Sequence, residues 1–166
     1  MNDKSLETLF YDHLKDIYYA EKQILKSLPK MSAAAQCEEL TAAFDKHQAE
    51  TEVQIERLEQ VFRLMGKTPE GKQCPAIDGI LKEGEEIMKE FKGVPALDAG
   101  LIASAQAVEH YEITRYGTLK SWAECLGMDD AASLLSDTLD EESQTDEDLT
   151  SLADSHINDK ALPLAA

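Results

Sequence analysis

The sequence is poor in the residues that build β-sheets. Aromatic residues make up 6% of the chain, Val and Ile are sparse, and no stretch alternates cleanly between apolar and polar positions. These absences argue against a sheet. Ala, Leu, Glu, Lys and Gln are prominent instead, and their side chains lose little freedom in helices. The 166 residues fit one domain with a full hydrophobic core, so we predict a single all-α domain.

Cysteine pairs and targeting segments are also missing. Cys37, Cys74 and Cys125 are widely spaced and form no C-x-x-C pair, so neither a zinc ribbon nor a disulfide framework is indicated. The first residues, MNDKSLETLF, lack the basic head and apolar run of a signal peptide, and no apolar stretch could span a bilayer. We expect a soluble, cytoplasmic protein with no membrane partner.

Basic residues are far fewer than acidic ones. The 16 Lys and Arg residues are outnumbered by 33 Asp and Glu residues, which gives a formal net charge of −17. Nucleic acids and anionic membranes need a basic face, so neither is expected as a partner. The acidic excess is compatible with cation binding, although a single surface acid usually does no more than keep a protein soluble.

Apolar residues recur at the three- and four-residue spacing of amphipathic helices in four long segments. Ser5 is the expected N-cap of the first, Pro29 predicts a kink in it, and Gly66 and Gly127 follow the second and third. The predicted helices cover residues 6–36, 40–65, 97–127 and 129–158. Residues 67–95 contain Pro- and Gly-rich loop and one short helix near 77–91.

This order of segments predicts a ferritin-like four-helix bundle. Two helical hairpins joined by one long crossover, here with a short helix inside it, form the connectivity of that class. We therefore predict the bundle over residues 1–158 and a mobile C-terminal tail over 159–166.

Polar residues interrupt the apolar stripes of all four long helices. Glu21, for example, falls between Ile17 and Ile24, so it lies on the core face of the first helix. The interruptions, in chain order, are Glu21; His47, Glu50 and Thr51; Glu109 and Glu112; and Glu142 with Thr145 or Asp146. Every long helix therefore has an acid on its apolar face.

The depths of these acids in the bundle are similar. Glu112 and Glu142 each lie 15 residues from Gly127, which is roughly 22 Å along an antiparallel pair of helices. Glu21 and Glu50 lie 16 and 13 residues from the turn between the first two helices, a difference of less than one helical turn. The acids should therefore meet in one layer.

Carboxylates in such a layer must be neutralised. One unpaired buried carboxylate costs several kcal/mol, and five would exceed the roughly 5–15 kcal/mol that stabilises a typical domain. Most nearby basic residues are predicted to point outwards: Lys22, Lys26, Lys46, Arg57 and Lys120. Two divalent cations would supply the charge. The alternative is a water-filled or ion-paired polar core, with Arg115 as a candidate partner of Glu112.

Four segments, taken in order, resemble one protein family. YYAEKQ (18–23), KHQAETEVQIERLE (46–59), VEHYEITRYGTL (108–119) and LDEESQTDEDLTSLA (139–153) are similar to the YciF/YciE-like stress-response proteins of the ferritin-like superfamily. The resemblance covers nearly the whole chain. It implies a carboxylate-bridged centre of two metal ions, with iron expected first and manganese as the alternative.

The superfamily pattern is Glu on the first helix, Glu-x-x-His on the second, Glu on the third and Glu-x-x-His on the fourth. Glu21, Glu50 and Glu142 match its glutamates on the first, second and fourth helices. Glu109 and Glu112 resemble the Glu-x-x-Glu of the rubrerythrin third helix. The resemblance thus assigns all five acids to the metal centre.

Both histidines of the pattern are missing. Val53 and Thr145 occupy their places, whereas His47 precedes Glu50 by three residues and Asp146 follows Glu142 by four. The predicted metal ligands are therefore Glu21, His47, Glu50, Glu109, Glu112, Glu142 and Asp146. This set is rich in oxygen, which suits Fe, Mn or even Mg and Ca, so oxidase or peroxidase chemistry cannot simply be inherited.

Other polar side chains are assigned no metal role. His13 and His156 are interpreted as structural or surface residues, and His110 as lying between helices or exposed, with a ligand role as the alternative. Cys37 and Cys125 fall near turns without an activating basic cluster and are assigned no catalysis. Tyr116, one turn from Glu112, is the best of the tyrosines as a redox partner, with packing as the alternative. Glu141 should face water. No catalytic residue is assigned.

Three functions are compatible with these features. The first is a redox-active dimetal protein that reacts with oxygen or peroxide, and the second is a stress protein whose ions only hold the helices together. The third is a small ferritin-like store, which would need a closed shell. We expect a homodimer, because the family resemblance points to one and because Leu9, Ile102 and Trp122 lie outside the core stripes. The alternative is a monomer in which the crossover helix folds back and covers its own bundle.

Overall fold

A computed structural model describes residues 4–162, and these residues are helical with no strand. The helices are α1 (Leu6–Ala34), α2 (Glu38–Leu64), α3 (Pro75–Glu90), α4 (Leu97–Cys125), α5 (Asp129–Leu152) and α6 (Asn158–Ala161), with a π-helical turn, Ala153–Ile157, between the last two. The predicted all-α class is confirmed. None of the described helices is long and apolar enough to cross a membrane.

Four helices form the bundle. α1 and α2 form one hairpin, α4 and α5 form the other, and the hairpins meet where α2 packs on α5 and α1 packs on α4. α3 lies in the connection between the hairpins and packs on α1 and α4. The predicted ferritin-like four-helix bundle, with a long crossover that contains a short helix, is confirmed.

The helix ends follow local chemistry. The Ser5 hydroxyl oxygen accepts the backbone N–H of Thr8 at 3.3 Å and caps α1. Gly127 follows α4 with φ +69°, a conformation that glycine adopts without a steric penalty. α1 runs through Pro29 as one uninterrupted helix and ends at Ala34, two residues before the predicted end.

The crossover folds back onto its own bundle. The backbone N–H of Lys72 donates to the Lys15 carbonyl at 3.0 Å, so the loop before α3 lies along α1. α3 then approaches α4 closely at Gly100, where an added Cβ would stand 2.7 Å from Ile87 Cγ2. Glycine has no Cβ and so leaves room for this contact, which means that Gly100 allows α3 to pack against the side of the bundle.

This covering weakens one argument for a dimer. Of the three outer apolar residues, Ile102 is buried and Trp122 is half-buried, with its ring 5.0 Å from that of His13. Leu9 is 44% exposed. Most of the apolar surplus is therefore covered within one chain, and the homodimer stays a prediction.

The C-terminal end departs from the expected pattern. After α5 the chain forms the π-helical turn, in which Ile157 is buried, and then α6, which ends at Ala161. The helical path thus continues three residues beyond the predicted boundary at 158. Residues 163–166 of the predicted tail lie outside the described residues.

Candidate metal centre

All four bundle helices contribute a buried polar side chain to one layer. Glu21 of α1, His47 of α2, Glu109 and Glu112 of α4, and Glu142 of α5 are each at most 3% exposed. Their positions follow from helical periodicity, since each interrupts an apolar stripe. The structure thus brings together five of the seven residues that the sequence predicted as ligands.

Four of these side chains form a tight group. Ligand atoms of His47, Glu109, Glu112 and Glu142 all lie within 4.8 Å of one another, and His47 Nε2 stands 3.2 Å from Glu109 Oε1. Glu21 lies against Glu112 and extends the group towards α1. We call these five residues the carboxylate layer.

Most polar atoms of the layer lack hydrogen-bond partners among residues 4–162. Ten buried side-chain nitrogen and oxygen atoms of the described residues have none, and every one belongs to this layer or to Glu50 and Gln54 beside it. Both oxygens of Glu112 and both of Glu142 are among them. Native proteins pair nearly all buried polar atoms, so this concentration calls for a ligand.

Burial and mutual repulsion alter the ionisation of the layer. Burial, reinforced by the charges of neighbouring carboxylates, raises the pKa of Glu21 to about 8 and that of Glu142 to about 7. The pKa values of Glu109 and Glu112 are raised well above their usual range for the same reasons. Burial lowers the pKa of His47 to about 4, so its imidazole is neutral at pH 7 and able to bind a metal ion.

Tyr116 of α4 completes the α1 side of the layer. Its ring is fully buried and its hydroxyl donates a hydrogen bond to Glu21 Oε1. Burial and the surrounding carboxylates raise the pKa of this phenol well above its usual range, so the hydroxyl keeps its proton. Tyr116 therefore orients Glu21, whose second oxygen is buried and has no hydrogen-bond partner among the described residues.

Glu50 lies at the edge of the layer. Its side chain is 25% exposed, and Oε1 stands 3.4 Å from the Lys46 ammonium. Its Oε2 atom is buried without a partner. On α2, His47 occupies the core face directly, and Glu50, three residues later, is rotated towards the α2 surface. Glu50 can therefore offer one oxygen inward.

Asp146 is not brought into the layer. Its carboxylate accepts from the Gln106 amide at 3.1 Å and lies 3.1 Å from His110 Nε2, on the outside of the α4–α5 pair. The helical phase explains this position, because Thr145, three residues after Glu142, is the residue that α5 buries. Of the two alternatives at this point of the stripe, Thr145 is the one on the core face.

Two arginines differ from the predictions. Arg115 does not pair with Glu112; its Nε stands 3.3 Å from Asp16 and donates to the Tyr111 hydroxyl at 3.1 Å. Arg57, expected to point outwards, binds both oxygens of Glu141 at 2.6 and 2.8 Å across the α2–α5 contact. Glu141 is thus part-buried in an ion pair and does not simply face water.

One buried residue was not singled out from the sequence. Gln54 is fully buried, donates to Glu141 at 3.1 Å and leaves its Oε1 atom without a partner. It lies on the stripe of His47, Thr51 and Leu58, so the same periodicity contained the signal. Gln54 connects the Arg57–Glu141 pair to the carboxylate layer.

The donor set fits hard or borderline divalent cations. Carboxylate oxygens with a single imidazole suit iron and manganese, and they suit magnesium or calcium better than soft metals. No thiol belongs to the layer. The residues present therefore fit the dimetal centre of the resemblance in its glutamates, and they replace its two expected histidines with His47 alone.

Comparisons with known proteins agree with this architecture. Residues 5–162 match the family model described as "Domain of unknown function (DUF892)". The Escherichia coli (strain K12) protein YciF is 44% identical over 97% of this chain and 98% of its own length.

Solved structures give the same result. The crystal structure of the E. coli stress protein YciF superposes with a TM-score of 0.89, at 43% identity over 93% of this chain and 98% of that chain. YcfI from Rhodopseudomonas palustris, described as a proposed structural protein, superposes with a TM-score of 0.87, at 48% identity over 90% of this chain and 95% of that chain. The chain belongs to the DUF892 family, the family of the stress protein YciF.

Proposed function

We propose that this protein is a stress-associated protein that binds two divalent metal ions, iron first and manganese as the alternative, in the carboxylate layer. The observation that supports this most directly is the set of ten buried side-chain atoms that have no hydrogen-bond partner in the described part of the chain. Each such atom costs about 1–3 kcal/mol, so together they would outweigh the roughly 5–15 kcal/mol of a typical fold.

Neither cationic side chains nor protons alone resolve this cost. Arg57 and Arg115 are paired with Glu141 and Asp16, so neither of these two arginines is free for the layer. Protons would remove the negative charge, as the raised pKa values of the glutamates allow. However, hydrogen bonds between protonated carboxyls, as between Glu109 and Glu142 or Glu21 and Glu112, would pair only some of these atoms. A cation contacts several oxygens at once, so it would both balance their negative charge and give the acceptor atoms a partner.

Different residues of the chain would bind the two ions and hold the ligands in place. His47, Glu109, Glu112 and Glu142 would hold one ion, because their ligand atoms already converge. Glu21 and Glu112, which lie against each other, would hold the second, and the inward oxygen of Glu50, near Glu142, would supply a further ligand atom. Tyr116 keeps its proton and fixes Glu21, while Gln54 and the Arg57–Glu141 pair brace the α2–α5 side. Bound iron would supply redox chemistry towards oxygen or peroxide.

The surroundings of the layer favour a very small reactant. A cavity of only about 10 Å³ lies beside His47 and Glu109. Its remaining lining is mostly apolar: Ile24, Ser27, Leu28, Met31, Leu81, Ala105 and Val108. Such a space suits dioxygen or peroxide and not an organic substrate.

A second function is a purely structural one, in which the ions hold the helices without turnover. The single imidazole ligand departs from the redox members of the superfamily pattern, and the relative YcfI is described as a proposed structural protein. The two functions share the metal centre and differ in whether the bound ions react.

Glu142→Gln should reduce metal binding strongly, because the substitution removes a charged ligand from the centre of the layer. We expect about two iron or manganese ions per wild-type chain, purified without chelators and measured by elemental analysis, since two divalent cations balance about four carboxylates. Glu52→Gln is the matched control, because Glu52 is an exposed residue of α2.

Glu141 is unsuitable as a control because its ion pair with Arg57 braces the same region. Equal metal content in the two glutamine variants would mean that Glu142 is not a ligand. The metal centre itself would be refuted if the purified wild-type protein contained no metal and its melting temperature did not change on addition of a chelator.

The stability of the chelated protein should fall as pH rises from about 5 to about 8. Glu142 and Glu21 have folded-state pKa values of about 7 and about 8, above their unfolded value near 4.5. The folded state therefore binds more protons than the unfolded state in this window, and that contribution is lost as pH rises. His47, with its pKa lowered to about 4, acts oppositely below about 6.5 but is a single group against four.

Denaturant unfolding at a series of pH values measures this dependence. The expected loss is on the order of several kcal/mol, since one pKa unit corresponds to about 1.4 kcal/mol, and Glu142→Gln should reduce the slope. Saturating Mn²⁺ should reverse it, because metal binding displaces protons. A chelated protein that is more stable at pH 8 than at pH 6 would contradict the buried acidic layer.

Reaction with peroxide separates the redox function from the structural one. The protein loaded with Fe²⁺ should change its visible absorption on addition of hydrogen peroxide and should consume peroxide over repeated cycles when a reductant is supplied. The Glu142→Gln variant, under the same conditions, is the control for free iron. Bound iron that leaves peroxide unconsumed would assign the protein to the structural role.

We also propose that the protein is a homodimer in solution. The family resemblance supports it, together with exposed apolar side chains near the start of α1, where Leu6 is 36% and Leu9 is 44% exposed. Light scattering near physiological salt should give the mass of two chains, about twice 18.4 kDa. A mass of one chain would show that the folded-back crossover suffices, and a mass near that of a shell would revive the storage function.

A further inference from the structure

A second group of metal-ligating side chains lies outside the carboxylate layer, at the end of the bundle. Cys37 precedes α2, Glu39 is in the first turn of α2, and His156 is in the π-helical turn after α5. Cys37 Sγ is 3.1 Å from Glu39 Oε2 and 3.5 Å from His156 Nε2, and the latter two atoms are 3.1 Å apart. These three residues are the end cluster.

The spacing of the three atoms fits a tetrahedral ion. Zinc bonds of about 2.3 Å to sulfur and about 2.0–2.1 Å to nitrogen or oxygen place tetrahedral ligands roughly 3.3–3.6 Å apart. The observed separations of 3.1–3.5 Å are within a few tenths of an ångström of these values. The ligands therefore need little movement to close on one ion.

The hydrogen bonds around His156 leave its Nε2 atom available as a metal ligand. The Ser155 hydroxyl donates to the Leu152 carbonyl at 2.9 Å and stands 2.7 Å from His156 Nδ1. Since its proton is committed to the carbonyl, the serine oxygen accepts from Nδ1–H. A neutral imidazole then presents the lone pair of Nε2 to Cys37 and Glu39, which is how metal-bound histidines are usually fixed.

When His156 is neutral, the end cluster has too few protons to provide a hydrogen bond for each of its three atoms. Nε2 and Glu39 Oε2 then approach as two acceptors, and the Cys37 thiol has one proton for both. A divalent cation would satisfy all three atoms, and its binding would release the thiol proton to solvent.

Two features of the backbone favour a built site. Cys37 is the N-cap of α2, but its side chain makes no capping hydrogen bond; the sulfur is directed instead to Glu39 and His156. His156 reaches the cluster from a π-helical turn, a rare element that recurs at functional sites. The ligands come from segments 119 residues apart in the chain, and a bound ion would join the α1–α2 turn to the C-terminal turn.

We infer that the end cluster is a second metal site, distinct from the carboxylate layer, which binds Zn²⁺ through Cys37, Glu39 and His156 and leaves a fourth position open to water. A thiolate and an imidazole select zinc over the hard cations that suit the interior layer. The site fastens the C-terminal π-helical turn to the beginning of α2.

Site-resolved alkylation of the full-length protein tests this inference. With Zn²⁺ present, alkylation of Cys37 followed by mass spectrometry should slow on the order of tenfold or more, because a metal-bound sulfur is a poor nucleophile. Cys125 is exposed and serves as the internal control, so its rate should not change. His156→Gln should abolish the protection of Cys37.

Spectroscopy with Co²⁺ in place of Zn²⁺ gives an independent measurement. A thiolate-to-cobalt charge-transfer band should appear in the wild type and in Cys125→Ser, and it should be absent from Cys37→Ser. The carboxylate layer contains no cysteine, so this band reports the end cluster alone. Both signals should survive in Glu142→Gln, which separates this site from the interior one.

Equal alkylation of Cys37 with and without Zn²⁺ would overturn the inference. Protection that persists in His156→Gln, or a cobalt band that persists in Cys37→Ser, would overturn it as well, because the signals would then arise elsewhere. Loss of both signals in Glu142→Gln would show that there is no separate site.

Discussion

The repulsion among carboxylates withdrawn from water is the constraint on which the rest of this structure depends. Four glutamates and one histidine occupy the layer where all four bundle helices meet. The apolar stripes above and below them close the bundle, yet the same closure removes these groups from solvent. Burial therefore raises the pKa values of the acids and lowers that of His47. The closure of the bundle and the need for cations at the candidate metal centre therefore have the same physical origin.

Helical periodicity was enough to predict most of the fold and the centre of the site. Interruptions of a stripe, such as Glu21 and Glu142, can only face the core, and equal distances from a turn place residues at one level. The same reasoning failed where a shift of one residue along the helix decides whether a side chain faces the core or the surface. Asp146 and Thr145 are neighbours that differ by about 100°, and the structure buries the threonine.

Interactions between distant segments could not be predicted in the same way. The pairing of Arg57 with Glu141, and of Arg115 with Asp16, depends on how the helices pack against each other, which a single stripe does not contain. The end cluster shows the same limit. Cys37 and His156 were each assigned no chemistry from the sequence, because nothing local indicates that a π-helical turn brings them together.

Anomalous X-ray diffraction from crystals grown without chelators tests the central claim most directly. Data collected at the iron and manganese absorption edges should show strong peaks inside the bundle, within bonding distance of His47, Glu109, Glu112 and Glu142, with a second peak towards Glu21. An ordered layer without anomalous peaks, in which the same glutamates pair with water or with one another, would contradict the account.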